Sequence, residues 1–285
     1  MEWIDRLNES VRYLEGSLTG EPDYARAAQI ACCSVYHYQR MFSYLAGVPL
    51  SEYVRRRRMS LAAADLLGGT EKIVDIALKY GYSSPTAFNR TFQKVHGVPP
   101  SAVRQGQAAV KAYPPLSFQL TVQGVAEMEY RIEKRDAFRV IGVTAPMSAE
   151  IEENFEAVPR LWAQAASDGT IPKLAALMDG EPKGILGVCD CTDGGARRYG
   201  IAAASTQPAP EGMEEWEIGA YTWAVFPGTG ECPAAIQALE QRIVREWLPT
   251  SGYEYADGPD IEVYLNPNPA DAAFEVWIPV ARPRA

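Results

Sequence analysis

Val35, Tyr36, Gln39 and Arg40 share one side of a short amphipathic segment, and Thr86, Ala87 and Arg90 share the corresponding side of a second. Those side-chain types match the edges of bases. A guanidinium grips guanine O6 and N7, a carboxamide grips adenine N6 and N7, and Val or Tyr offers apolar contact to a thymine methyl. The opposite sides are apolar, with Tyr38, Phe42 and Leu45 in the first segment and Phe88 and Phe92 in the second. Each segment opens on a serine, Ser34 or Ser84, able to cap free backbone N–H groups, and Pro85 suits a first helical turn. A helix built this way presents its N-terminal end to a major groove, which is wide enough to admit it.

A second constellation lies near the other end of the chain. Strand alternation puts Ile261, Val263 and Leu265 on one side and Glu262 and Tyr264 on the other. It separates Val276 and Ile278 from Glu275 and Trp277 in the same way, and Tyr221 and Trp223 share a side. If helices cover the aliphatic side, then Tyr221, Trp223, Glu262, Tyr264, Glu275 and Trp277 gather on the opposite one. Aromatic walls around a carboxylate suit a flat or lipophilic organic cation. Glu275 and Glu262 are both candidates for the ligand carboxylate, with Glu275 preferred for its neighbour Trp277. The same groups allow an alternative, a hydrolase in which Glu275 is the base and Tyr221 or Tyr264 the donor. No Ser-His-Asp or Cys-His set competes, because His37 and His96 both belong to the first third of the chain.

The elements that must hold these residues are legible. Each reading segment is the second helix of a pair: Tyr24 to Leu45 in one case, Ile73 to Val95 with a turn at Gly81 in the other. Trp3, Leu7, Val11, Leu14 and Leu18 mark a preceding helix. Ser51 to Leu67 reads as one uninterrupted helix, stopped by Gly68-Gly69. At ~25 Å it is a plausible spacer between motifs set one DNA turn (~34 Å) apart. Its run Arg55 to Arg58 points in all directions, so at most two of the four can face a polyanion; a solvated face with a structural ion pair is the alternative. After a linker with Pro114-Pro115, Leu116, Phe118, Leu120 and Val122 alternate as a strand. Strand–helix–strand–strand then occurs twice, over 138–203 and 216–280.

Composition bounds the rest. With 47% hydrophobic and 22% charged residues among 285, the chain can build two or three cores. Residues 1–110 carry 13 Lys and Arg against 10 Asp and Glu, or +3; the remainder carries 14 against 26, or −12, which sums to the net −9. The basic half suits a polyanion and the acidic half a cation. Five scattered cysteines argue against a disulfide framework and for a reducing cytoplasm. Cys189 and Cys191 read as ordinary strand residues, and neither a metal nor another cofactor is expected. The start of the chain resembles no signal peptide, no apolar run is long enough to span a membrane, and no membrane partner is expected.

These residues carry a resemblance. Residues 1–104 resemble the DNA-binding domain of the AraC/XylS family over its whole length. Ser34-Val35-Tyr36-His37-Tyr38-Gln39-Arg40-Met41-Phe42 is similar to that family's first recognition helix; Ile73, Ile76-Ala77, Gly81-Tyr82, Phe88, Arg90, Phe92, Gly97 and Pro99-Pro100 match its second signature. The resemblance implies that Tyr36, Gln39, Arg40, Thr86 and Arg90 occupy DNA-contacting places; Pro85 departs from the family pattern. Residues 114–285 resemble a GyrI-like effector-binding domain through Val225-Phe226-Pro227-Gly228-Thr229-Gly230, Asp260–Asn266 and Phe274–Val280. Together they imply a multidomain chain. An all-α DNA-binding domain (1–108) has two helix-turn-helix motifs joined by a long helix. A linker and first strand (109–126) lead into an α+β GyrI-like domain (114–285) with a pseudo-twofold repeated β-α-β-β unit. The implied function is a ligand-responsive transcription activator rather than an enzyme; the alternative that the resemblance implies is a GyrI-like hydrolase of a strained-ring small molecule fused to a DNA-binding domain. The implied partners are double-stranded DNA, a small-molecule effector and RNA polymerase.

Overall fold

The computed structural model describes residues 3–119, 127–148, 151–192, 197–266 and 268–283. They form two compact units: residues 1–31 with 46–119, and residues 32–45 with 120–285. The chain leaves the first unit for one helix, returns to it, and crosses to the second unit only once more.

The helices, in chain order, are α1 (Trp3–Gly16), α2 (Tyr24–Ile30), α3 (Val35–Ala46), α4 (Leu50–Gly68), α5 (Ile73–Lys79), α6 (Pro85–His96) and α7 (Pro100–Arg104). In the first unit Met59 and Leu66 of α4, Ile76 of α5 and Phe88 and Phe92 of α6 share one apolar core. Burial of that spine, not intrinsic propensity, holds the seven-residue α5, which is too short to persist alone. The turn before α6 needs Gly81, whose φ of 83° lies in the left-handed region and whose place for a Cβ is 3.2 Å from Arg58 Nη1. Ser84 caps α6 by accepting from Ala87 N at 3.3 Å, and Pro85 stands in the first turn.

All four arginines of α4 are engaged by the protein itself. Arg55 and Arg56 pair with Glu52, Arg57 with Glu15, and Arg58 with the carbonyls of Leu18 and Gly20. The strand read over Leu116 to Val122 is absent from its described part. Phe118 N donates to Asn8 Oδ1 at 2.7 Å, its carbonyl accepts from Asn8 Nδ2, and Leu116 N donates to Tyr53 Oη. Side chains of α1 and α4 thus satisfy the backbone groups that a sheet partner would otherwise take. Leu120 and Val122 lie outside the described residues.

The second unit contains β1 (Arg131–Arg135), β2 (Phe138–Pro146), α8 (Ile151–Ser167), α9 (Thr170–Leu177), β3 (Ile185–Asp190), β4 (Arg198–Ala204), β5 (Glu214–Ile218) and β6 (Tyr221–Gly230). It continues with α10 (Ala234–Arg242), which ends in a π-turn at Ile243–Trp247, then β7 (Glu254–Tyr255), β8 (Asp260–Tyr264) and β9 (Ala272–Ala281). The sheet order is β1-β6-β9-β8-β3-β4-β2-β5, with β7 added beside β9. Each half repeats two strands, a helix and two strands. The halves meet where β8 pairs β3, and each leading strand, β1 or β5, pairs with the other half. The repeat read from the sequence is present, with β1, α9 and β7 added to it and the strand expected over 216–226 divided into β5 and β6.

Register decides the faces. Trp277 pairs with Ile261 and Val225, and Glu275 with Val263, so these side chains share one side of the sheet. Glu262 pairs with Val276 and with Gly187, on the other side, which the helices cover. Trp223 and Trp277 are fully buried in a core with Val140, Leu186, Val188 and Ile218 on the side away from the helices.

Candidate functional site

A cavity of about 700 Å³ opens on the helix-covered side of the sheet. Its floor includes Glu262 and Tyr264 of β8 and Val276 of β9. Phe155, Val158 and Trp162 of α8 form an apolar wall, and Ile236 and Glu240 of α10 face it. The remaining side is α3, which contributes Tyr36, Arg40 and Tyr44, four residues apart and therefore in one stripe. The size and mostly apolar lining suit a drug-sized organic molecule.

Polar groups concentrate at one end. Tyr199 and Tyr264 each donate to Glu262 Oε2 at 3.0 Å, and Trp162 Nε1 donates to Tyr199 Oη at 2.8 Å. The pair needs a glycine beneath it: a Cβ on Gly187 would stand 2.3 Å from Tyr199 Oη and 2.8 Å from Glu262 Oε2. Burial pushes the Glu262 carboxyl up to about 7, and the charge of Glu240 adds to the rise against Arg40 and the two hydroxyls. Beside it, Arg40 Nη1 donates to Asp260 Oδ2 at 2.6 Å, Arg40 Nη2 meets Glu240, and Arg40 Nε donates to Tyr44 Oη at 3.3 Å. Tyr44 Oη donates in turn to Glu240 Oε2 at 2.7 Å. His37 links Ser34 Oγ at 3.0 Å to Asp260 Oδ2 at 3.2 Å and stacks on Tyr255. Burial alone would raise the Asp260 carboxyl, but His37 and Arg40 hold it below its ordinary value. Arg245 Nε donates to the Tyr44 carbonyl at 2.8 Å, which anchors α3 through its backbone as well.

The second reading helix presents a different surface. Pro85, Thr86, Asn89, Arg90 and Gln93 of α6 outline a shallow open depression. Thr86 and Arg90 are exposed and Ala87 is half-buried, while Phe88 and Phe92 are buried on the reverse side. A donor, an amide pair and a guanidinium along one helical stripe are the groups that base edges and phosphates take.

The profile of the helix-turn-helix domain matches residues 27–106, and that of the GyrI-like small molecule binding domain matches residues 128–281, more than half of the chain. The HTH-type transcriptional activator AarP of Providencia stuartii is 37% identical over 98 residues, which cover 34% of this chain and 73% of AarP. The chain belongs to the AraC-type regulators with a GyrI-like domain. The transcriptional regulator Rob of Salmonella typhimurium is 31% identical over 156 residues, 54% of this chain, and the chain spans about half the length of Rob. A Staphylococcus aureus MU50 protein described as a “putative bacterial transcription regulation protein” aligns with 54% of this chain and 99% of its own at a TM-score of 0.49 and 20% identity.

In this AraC-type regulator the residues read from the sequence separate. Of the six groove residues, Glu262 and Tyr264 line the cavity; Tyr221, Trp223, Glu275 and Trp277 stand on the other side of the sheet. The expectation that helices cover the purely aliphatic side is what fails. Both sides are buried, and the tryptophans fill the core away from the helices. Glu275 is committed there to Arg131, at 2.7 and 3.0 Å, and to Trp277 Nε1 at 2.8 Å. Burial would raise its carboxyl, but these partners hold it below the ordinary value. The hydrolase alternative has no support among the relatives; the sheet splits its Glu275–Tyr264 pair and leaves Tyr221 on the side of Glu275.

Of the residues expected to read DNA, Thr86 and Arg90 are exposed and Ala87 is half-buried, but Arg40 is not outward: it is buried in the acidic end of the cavity. Tyr36 lines that cavity, and Val35 and Gln39 are half-buried. His96 is structural, since Nε2 meets the Met59 carbonyl and Nδ1 accepts from Lys111 N, and burial lowers its pKa. Tyr44, Trp162, Tyr199, Glu240 and Asp260 were not singled out from the sequence. One signal did point to their place, a glycine inside strand β3. The sulfurs of Cys189, Cys191 and Met147 pack 3.6–3.8 Å apart as part of a core. No helix among the described residues is long and apolar enough to cross a membrane.

Proposed function

We propose that the chain is a sequence-specific transcription activator whose effector, a lipophilic organic cation, occupies the cavity between α8, α10 and the sheet. α6 reads one major groove through Thr86, Ala87 and Arg90, and α3 reads a second through Val35, Tyr36, Gln39 and Arg40 once Tyr36 and Arg40 have left the cavity wall. RNA polymerase is the partner that an activator of this family would contact. One observation carries the effector class: a cavity of about 700 Å³ with aromatic and aliphatic walls whose polar end holds three carboxylates, Glu240, Asp260 and Glu262. Apolar walls supply affinity, and buried carboxylates select positive charge.

Calorimetric titration of the full chain with tetraphenylphosphonium and with tetraphenylborate, equal in shape and opposite in charge, tests the reading. The cation is expected to bind, and the anion at least tenfold more weakly. Equal affinities, or none for either, overturn the effector class. Selection of bound sequences from a random DNA pool, run with the bound cation present, tests the other half, with a motif spanning two successive major grooves expected.

A further inference from the structure

We infer that the acidic end of the cavity is a guanidinium site, occupied in this structure by the chain's own Arg40, and that the effector is an amidinium or guanidinium compound that displaces it. This rests on the reading of the cavity as an effector site and adds the headgroup and the resident competitor.

The geometry is that of a recognised ligand. Arg40 is 8% exposed although the family resemblance implies a DNA contact at its place, and each of its three nitrogens has its own partner. Nη1 meets Asp260 of β8, Nη2 meets Glu240 of α10, and Nε meets Tyr44, whose ring lies 5.6 Å below the guanidinium. Donors fixed in one plane and read from two carboxylates on separate elements suit a planar fork; an ammonium is a compact point charge that cannot address them together. The site is also not saturated. Asp260 is 4% exposed, and its Oδ1 has no hydrogen-bond partner among the described residues. With Glu262 beside them, the carboxylates outnumber the one guanidinium. The apolar wall of Phe155, Val158 and Trp162 continues from this end, so a guanidinium with an aryl tail fills what Arg40 leaves empty.

The consequence is linkage. Arg40 cannot pair with Asp260 and Glu240 and also reach a base edge. A cation that binds the acidic end better when Arg40 has left it therefore favours the state in which α3 is available to DNA, and DNA favours the cation to the same degree. The difference in affinity between the two states sets how far the balance moves.

The test uses the full chain with 4-phenylbutylguanidinium and 4-phenylbutylammonium, which share one tail. Titration calorimetry is expected to give the guanidinium at least tenfold tighter binding. Arg40→Met removes the competitor and is expected to tighten the guanidinium a further severalfold or more, whereas Asp260→Asn is expected to weaken it. Hydrogen exchange in residues 35–46 of the unmodified chain is expected to quicken when the guanidinium is added, a reading that needs no variant to fold. Equal affinity for the two headgroups, or slowed exchange in α3, overturns the proposal. So does an unchanged guanidinium affinity in Arg40→Met. If tetraphenylphosphonium still binds in any of those cases, the cavity remains an effector site and only the guanidinium assignment falls. If nothing binds, both fall.

Discussion

The two reading helices α3 and α6 begin alike and end in different surroundings. Each has twelve residues, an apolar reverse face and a serine at its start that accepts a backbone N–H, from His37 in one and Ala87 in the other. Each carries an arginine on the stripe opposite its apolar face. In α6 that stripe is open, and Arg90 is exposed. In α3 the stripe Tyr36, Arg40, Tyr44 is the side wall of a cavity, and Arg40 is held by two carboxylates from residues 240 and 260. A recognition signature specifies a helix with a certain surface; it does not specify what that surface touches. A guanidinium that suits guanine suits a pair of buried carboxylates equally well.

The comparison breaks first at the buried cluster. Glu240→Ala leaves Arg40 with one buried carboxylate fewer and is expected to cost about 3–5 kcal/mol of stability, as loss of one partner of a buried pair does. The measurement is unfolding in urea, since guanidinium chloride would compete with Arg40. A loss below about 1 kcal/mol means that Arg40 is not held as described. Arg40→Leu/Glu240→Leu is expected to recover only part of the loss, because buried Asp260 then loses its guanidinium.

DNA binding without effector sharpens the asymmetry. Arg90→Ala is expected to weaken operator binding by about 1–3 kcal/mol and to relax the preference at one or two base pairs. Arg40→Ala is expected to cost much less in the same fluorescence-anisotropy titration. If Arg40→Ala costs as much as Arg90→Ala, α3 already reads DNA in the effector-free chain, and the contrast between the helices disappears.

The capping serines give a smaller contrast. Ser84→Ala removes one exposed cap and is expected to cost about 1 kcal/mol. Ser34 is buried and also meets His37 Nδ1, so Ser34→Ala is expected to cost more, because it strips a partner from the ring that braces Asp260. Thermal unfolding of the two variants side by side decides the order.

The smallest effect concerns proton linkage at the cavity. Burial and the neighbouring Glu240 charge hold the Glu262 carboxyl at about 7, with Arg40 and the hydroxyls of Tyr199 and Tyr264 pulling the other way. A group raised in this way is neutral below that pH and charged above it, so affinity for a cation rises as pH increases through the value, with release of a proton on binding. A severalfold gain in tetraphenylphosphonium affinity is expected from about pH 6 to about pH 8, and Glu262→Gln is expected to flatten it. A flat profile in the unmodified chain would falsify the placement of Glu262 at the ligand.

Local chemistry determined much of this protein before any packing was known. Apolar spacing and the serine caps located α3 and α6, because those signals act within a turn or two of helix. Strand alternation separated Glu262 from Ile261 and Trp277 from Val276, because a strand has period two wherever it lies. The order of elements over 138–203 and 216–280 revealed the doubled β-α-β-β unit. Tertiary structure alone decided which side of the sheet the helices cover, since both sides are apolar enough to be buried. That choice placed Glu262 at the cavity and gave Glu275 to Arg131. Likewise it brought Glu240, Asp260 and Tyr199, far apart in the chain, to one end of one cavity, and set Arg40 among them. Arg40 and Asp260 are 220 positions apart and Tyr199 and Glu262 are 63 apart, and no periodicity within either segment encodes its partner.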